Sequence, residues 1–250
     1  MPPIPQSLRA ALPPTSLRPT TPFSATHEPT PLPTGLAALD VLLGGGLPRG
    51  GLSEIIAPPS AGAMSLVQQA VARTTGTGRW VAWIDGSDAL DPGSLEAAGV
   101  DLRSLLWVRP SRATAALAAA EFLAGLENAF ALIVLDLSRR DSPPRDQPGV
   151  PARPSREAKL QPAHWLRLAA MARRGRADVS LLLLAGESEC CFPPACLLRL
   201  ELLPARTLWS GGGDAPFMLD GREVDIFVRR KRNGVHGGSV RTRLVTMSRR

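Results

Sequence analysis

Apolar positions along the chain follow two alternating patterns. Short, mainly apolar runs bounded by turn residues predict buried strands at 52–57, 80–85, 105–109, 131–136 and 179–185. Between them apolar residues recur at helical spacing, predicting helices at 36–43, 64–72, 91–99, 115–128 and 159–174. Thr34 is the expected N-cap of the first, Pro92 fits the first turn of the third, and Ser111 or Thr114 is the expected cap of the fourth. Leu117, Leu123 and Leu126 share the packing side of that fourth helix, and Trp165, Leu168, Ala169 and Ala172 that of the last. After residue 185 the alternation stops. Strands alone are predicted at 196–203, 223–230 and 239–245, joined by loops at 209–221 and 231–238, the second a Gly-rich hairpin. Strand and helix in alternation, closing on antiparallel strands, predict an α/β three-layer sandwich with a mostly parallel sheet.

Two stretches lack any periodicity. Residues 1–33 are rich in Pro, Ser and Thr and read as a disordered arm, leaving 34–250 as one domain. Residues 138–156 are rich in Pro, Arg and Asp and read as a mobile surface loop.

Composition narrows the classes. A chain of 250 residues can bury a sizeable core. Its net charge of +7 suits an acidic partner or an Arg-rich solvated surface equally well. Nearly all of that charge is Arg, since Lys159 and Lys231 are the only lysines. Cys190, Cys191 and Cys196 have no neighbouring His, and adjacent cysteines serve one tetrahedral zinc badly, so no metal is expected. The odd cysteine count and the absence of a leader-like N-terminus give a cytoplasmic, reducing location as the expectation. No apolar run is long enough for a bilayer, so no membrane partner is expected.

The candidate chemistry lies between the first strand and the second helix. Strand, small-residue loop and helix form the layout of a phosphate-binding P-loop. Its reactive groups are missing. Gly62-Ala63-Met64 stands where Gly-Lys-Ser/Thr belongs, so the β/γ-phosphate lysine is Ala63 and the Mg²⁺-binding hydroxyl is Met64. Ala57, Ser60, Gly62, Ala63, Met64 and Ser65 form a vestigial nucleotide cradle, and Asp136 ends the fourth strand with a carboxylate. Asp136 fits either a metal-facing acid or a capped strand end. Backbone N–H groups at the helix start retain the means to hold an anion weakly.

Three stretches together resemble the RecA-type recombinase core. They are Thr34-Gly-Leu-Ala-Ala-Leu-Asp-Val-Leu-Leu-Gly-Gly-Gly-Leu-Pro-Arg-Gly50, Ala57-Pro-Pro-Ser-Ala-Gly62, and Ile84-Asp-Gly-Ser-Asp-Ala-Leu-Asp-Pro92 with Ala98-Gly-Val-Asp101. The run Val228-Arg-Arg-Lys-Arg-Asn-Gly234 with Gly237-Gly238 is similar to a hairpin that, in RecA-like motors, often reaches a neighbouring subunit's nucleotide. Within that resemblance Ser87 stands where a glutamate activates the attacking water, while Asp136 keeps the Walker B position. Each lost charge-assisted hydrogen bond removes roughly 1.5–3 kcal/mol, so nucleotide affinity and turnover should both fall.

A RecA-like core with a defective P-loop and a Pro-rich arm resembles the ImuA family of bacterial damage-response proteins. The resemblance implies no enzyme, no catalytic residue and no cofactor, with ATP and Mg²⁺ binding disfavoured. It implies an adaptor role in translesion synthesis and induced mutagenesis, under the SOS response. The implied partners are an ImuB-like inactive Y-family polymerase homologue, RecA and an error-prone polymerase, with self-association left open. Two alternatives stay beside it. One is a SulA-like division inhibitor binding FtsZ. The other is a DNA-binding modulator of RecA filaments that uses Arg139, Arg140, Arg145, Arg153, Arg156, Arg229, Arg230, Lys231 and Arg232. The 138–156 loop carries no aromatic residue to stack on bases, so a solvated basic face fits those residues too.

Overall fold

The computed structural model describes residues 30–138, 160–174, 179–185, 195–212, 215–231 and 237–245. In chain order the elements are α1 (Ala37–Leu43), β1 (Gly51–Ile56), α2 (Ala63–Thr75), β2 (Val81–Asp85), α3 (Pro92–Ala97), β3 (Leu105–Val108), α4 (Ala113–Ala124), β4 (Leu132–Asp136), α5 (Pro162–Arg174), β5 (Ser180–Ala185), β6 (Cys196–Gly212), β7 (Ala215–Lys231) and β8 (Ser239–Val245). They build one eight-stranded sheet in the order β3-β2-β4-β5-β1-β6-β7-β8. Pairing is parallel from β3 through β6 and antiparallel at β6–β7 and β7–β8, as the pattern predicts.

Helices cover both faces, giving three layers. Leu39 and Leu43 of α1, with Leu66, Val67, Ala70 and Val71 of α2, bury one face beside Ile55, Val134 and Leu200. Ala116, Leu117, Ala120 and Leu123 of α4, with Trp165, Leu168, Ala169 and Ala172 of α5, bury the other beside Ile84, Ile133 and Leu183. Each fully buried Leu or Val contributes about 1.5–3 kcal/mol by leaving water, so this double seam carries the fold. β1 sits between β5 and β6, buried from Gly51 to Ile55. Its Glu54 is fully buried and salt-bridged to Arg199 of β6 at 2.6 Å.

Several expectations are corrected. Thr34 does not cap α1: its hydroxyl donates to Asp40 Oδ1 at 2.8 Å and accepts from Leu36 N, which itself stands at the N-cap without a side-chain bond. α4 starts after Arg112 with no side-chain cap and ends at Ala124, so neither Ser111 nor Thr114 caps it. Residues 209–212 and 215–221 are strand rather than loop, because they lie in the two arms of a long β6–β7 hairpin with register shifts at Leu208/Trp209 and Ser210/Gly212. Within the span 1–33 only residues 30–33 are described, and there Leu32 is buried and bridged to Leu47. The remainder of the arm, the basic loop from Arg139 onward, Cys190, Cys191 and Arg232 lie outside the described residues. Among the described residues no helix is long and apolar enough to cross a membrane.

Candidate functional site

β1 ends at Ile56 and the chain turns through residues 57–62 into α2. The turn is closed by Ala61 N donating to Pro58 O at 3.1 Å, with Ser60 in the left-handed region at φ 62°. Gly62 is the N-cap of α2 at φ 95°, a conformation that costs a side-chain-bearing residue more than it costs glycine. A Cβ there would also lie 2.6 Å from Leu244 Cδ1, so β8 packs directly on this glycine. The first helical hydrogen bond runs from Leu66 N to Gly62 O, leaving the amides of Ala63, Met64 and Ser65 at the open helix end. The loop therefore keeps the backbone shape of an anion cradle.

Its side chains do something else. Ala57, Ala63 and Met64 are partly buried and packed against the apolar cluster of the α1/α2 face. The two positions that would hold a cation and a metal-binding hydroxyl thus extend the core. Ser60 is exposed, and its carbonyl accepts from the Arg222 guanidinium of β7. Arg222 lies 162 residues away along the chain, in a stretch with no helical or strand period before it, so no local signal points to it.

Asp136 lies at the carboxyl end of β4, fully buried beside its β2 register partner Asp85. Its Oδ1 accepts from Ser138 Oγ at 2.7 Å, Ser138 N at 2.9 Å and Ser87 Oγ at 3.0 Å. Its Oδ2 is buried without a hydrogen-bond partner. Burial pushes its carboxyl above the usual aspartate range, against the bonds from Ser138 and Ser87 that pull it down. Gly86 makes this arrangement possible: its N–H donates to Asp136 O at 3.0 Å, and a Cβ at 86 would lie 2.8 Å from that oxygen. Ser87 is thereby held over Asp136 as a hydrogen-bond donor, where it can orient the carboxylate but supplies no base.

Asp85 is spent on structure. It accepts from Ala89 N, Leu90 N and Trp107 Nε1 at 3.1–3.3 Å. No group of three or more metal-binding side chains occurs among the described residues.

The basic candidates on β7 are drawn into the fold. Arg229 pairs with Glu201 and lies 5.0 Å from the Phe227 ring centroid. Lys231 Nζ donates to Leu43 O at 2.9 Å, at the carboxyl end of α1, where a cation offsets the helix dipole. A lysine held there is not presented to a neighbouring subunit. Arg230 pairs in register with Arg199 on β6. Arg229, Arg230 and Lys231 are therefore brought near one another, but not near the loop at 57–65 as a cationic cluster.

Residues 24–146 match the family of the RecA N-terminal domain. RecA of Streptomyces coelicolor is 41% identical over 113 residues, 44% of this chain and 30% of that protein. RecA of Chlamydia felis is 40% identical over 114 residues, 45% of this chain and 32% of its own length. The match thus spans about a third of these relatives. In three dimensions the RadB recombinase crystal structure superposes with a TM-score of 0.60 at 20% identity, covering 85% of this chain and 95% of that one. That likeness extends the shared fold through the antiparallel strands that the sequence match does not reach. By sequence over residues 24–146 and by fold over most of its length, the chain carries a RecA-like core.

Proposed function

We propose that this chain is a non-catalytic RecA-like accessory protein of damage-induced translesion DNA synthesis. It acts as an adaptor that joins an inactive Y-family polymerase homologue to RecA or to an error-prone polymerase. The observation that carries the reading is the packing of Ala63 and Met64 into the core at the two positions that would otherwise grip a triphosphate and its metal. Ser87 adds a second, independent support, because its hydroxyl is committed to Asp136 and cannot serve as the base for an attacking water. What survives is the cradle's backbone, which turns β1 into α2 and fixes the surface that a partner would read.

The residues do not fit Mg-ATP well. Asp136 Oδ2 has no hydrogen-bond partner, but Ala63 and Met64 supply neither the cation nor the hydroxyl that a triphosphate and its metal use at those positions. The reading is tested with the full chain in two assays. Co-purification with the polymerase homologue should occur at micromolar concentration, and Mg-ATP should give no phosphate release. Release comparable to a RecA control would defeat the non-catalytic half, and failure of every candidate partner to bind would defeat the adaptor half. Filamentation of cells on overexpression would move the reading to division inhibition instead.

A further inference from the structure

At the opposite end of the sheet from the loop is a surface cavity of about 430 Å³. Its wall carries Arg49, Arg73 and Arg79 together with Thr30, Thr74 and Thr77, and no acidic side chain among the described residues. Three separate elements deliver the arginines. Arg49 lies two residues before the start of β1, Arg79 two residues before that of β2, and Arg73 is in the last turn of α2. The α2 helix is 13 residues long, which sets the cavity roughly 20 Å from the cradle at its other end. The Leu32–Leu47 bridge and a bond from Arg49 Nε to Thr30 O at 2.7 Å fix one wall.

The donors left for a ligand are guanidinium groups. Thr74 Oγ1 is spent on Ala70 O and Thr77 Oγ1 on Thr74 O, each at 2.7 Å. Arg73 and Arg79 are exposed and have no hydrogen bond or ion pair among the described residues. Each guanidinium offers a planar fork of five N–H groups that matches a phosphate's oxygens two at a time. The carboxyl end of α2 opposes an anion with about half a negative charge, which three full positive charges exceed. The volume falls in the range of small-molecule sites, roughly 300–1,000 Å³.

We infer that this cavity binds a phosphate-rich anion, supplied either by a nucleic-acid backbone or by a soluble polyphosphate. The inference does not depend on the adaptor role, and it concerns none of the cradle residues. It is tested on the full chain at low salt with two probes: inorganic tripolyphosphate, followed by calorimetry, and a fluorescent oligo-dT strand, followed by anisotropy. Wild type is compared with R73Q/R79Q and with R173Q/R174Q, which removes the same charge from the end of α5. Arg73 and Arg79 are both exposed, so the melting temperature of R73Q/R79Q should match wild type. Binding should weaken about ten-fold or more in R73Q/R79Q and little in R173Q/R174Q, since each charge-assisted contact accounts for about a factor of ten. Tripolyphosphate binding with this pattern assigns a soluble anion, and oligo-dT binding alone with this pattern assigns a nucleic-acid backbone. Absence of binding to both probes, or equal weakening by both double variants, overturns the site.

Discussion

The double substitution A63K/M64T separates nucleotide binding from hydrolysis. It returns the ammonium and the hydroxyl to a cradle whose backbone is still in place, with Gly62 at φ 95° and the amides of Ala63, Met64 and Ser65 at the helix start. Two charge-assisted contacts at roughly 1.5–3 kcal/mol each should raise affinity for Mg-ATP by about ten-fold or more per contact. Turnover should stay at the buffer rate. Position 87 still holds a hydroxyl 3.0 Å from Asp136 Oδ1 rather than a base, and a missing general base costs about 10²–10⁴ in rate. The exchange also removes apolar contact. Met64 is only partly buried against the core, so its replacement by Thr should cost about 1 kcal/mol, from the ~0.8 kcal/mol that each fully buried methylene is worth. For a chain of this size that lowers the melting temperature by about 2–4 °C. Calorimetry with Mg-ATP, a colorimetric phosphate assay and a thermal melt read the three effects. Phosphate release above background by A63K/M64T, with Ser87 in place, would refute the argument. A failure to gain affinity would show that the loop no longer has the shape of a phosphate cradle.

Other substitutions test the contacts around that loop. E54Q should lose about 3–5 kcal/mol in urea unfolding, because it strands Arg199 beside a fully buried partner, and E54L/R199M should recover most of the loss. K231M removes the cation from the carboxyl end of α1 and should cost about 1–2 kcal/mol, read as a lowered urea midpoint without a change in slope. G62A should destabilise through both its φ and the clash with Leu244, and L244A should relieve only the clash, so partial rescue in thermal melts is the expected outcome. D136N tests the buried carboxyl. Burial raises the native Asp136 above its ordinary value, so the folded state holds that proton more tightly than the unfolded chain. The stability this gives is complete below the ordinary aspartate range and is lost as pH rises through the raised native value. D136N cannot ionise, so its melting temperature relative to wild type should climb from about pH 4 to pH 7, and a flat difference would contradict the shift.

The sheet was legible because burial on both faces leaves an unmistakable mark. Strands such as Val81–Asp85 and Leu132–Asp136 are apolar until a terminal carboxylate, as a central parallel strand must be. The cradle was legible for a related reason: a glycine at the left-handed position, flanked by a buried strand and a periodic helix, is a local pattern. What escaped is non-local or polar. The β6–β7 hairpin arms contain Pro204, Gly211 and Gly221, residues that signal loops, yet register shifts absorb them within a two-stranded ribbon. Thr34 has the right chemistry for a cap, but Asp40 lies across the turn and takes its hydroxyl. Lys231 lies in a run similar to a hairpin that often reaches a neighbour's nucleotide, and only the fold, which brings the end of β7 to α1, reveals that it is bound to Leu43 O.

On the proposed reading, these contacts would hold the loop in place of a nucleotide. In an active P-loop the ligand's phosphates satisfy the helix-start amides and brace the turn. Here the turn is braced from the protein side. Met64 and Ala63 are anchored in the α1/α2 core, Leu244 of β8 closes on Gly62, and Arg222 of β7 ties the Ser60 carbonyl. Two of those three supports come from the antiparallel strands, which lie beyond the segment matched to the RecA N-terminal domain. The loop is therefore tied to the C-terminal strands. On the proposed non-catalytic reading, adding Mg-ATP to the wild-type chain should leave its melting temperature unchanged, because a ligand stabilises only in proportion to its occupancy of the folded state. R222Q, by contrast, should loosen the loop and raise amide exchange at residues 58–65 while the exchange of β4 and β5 stays as it was.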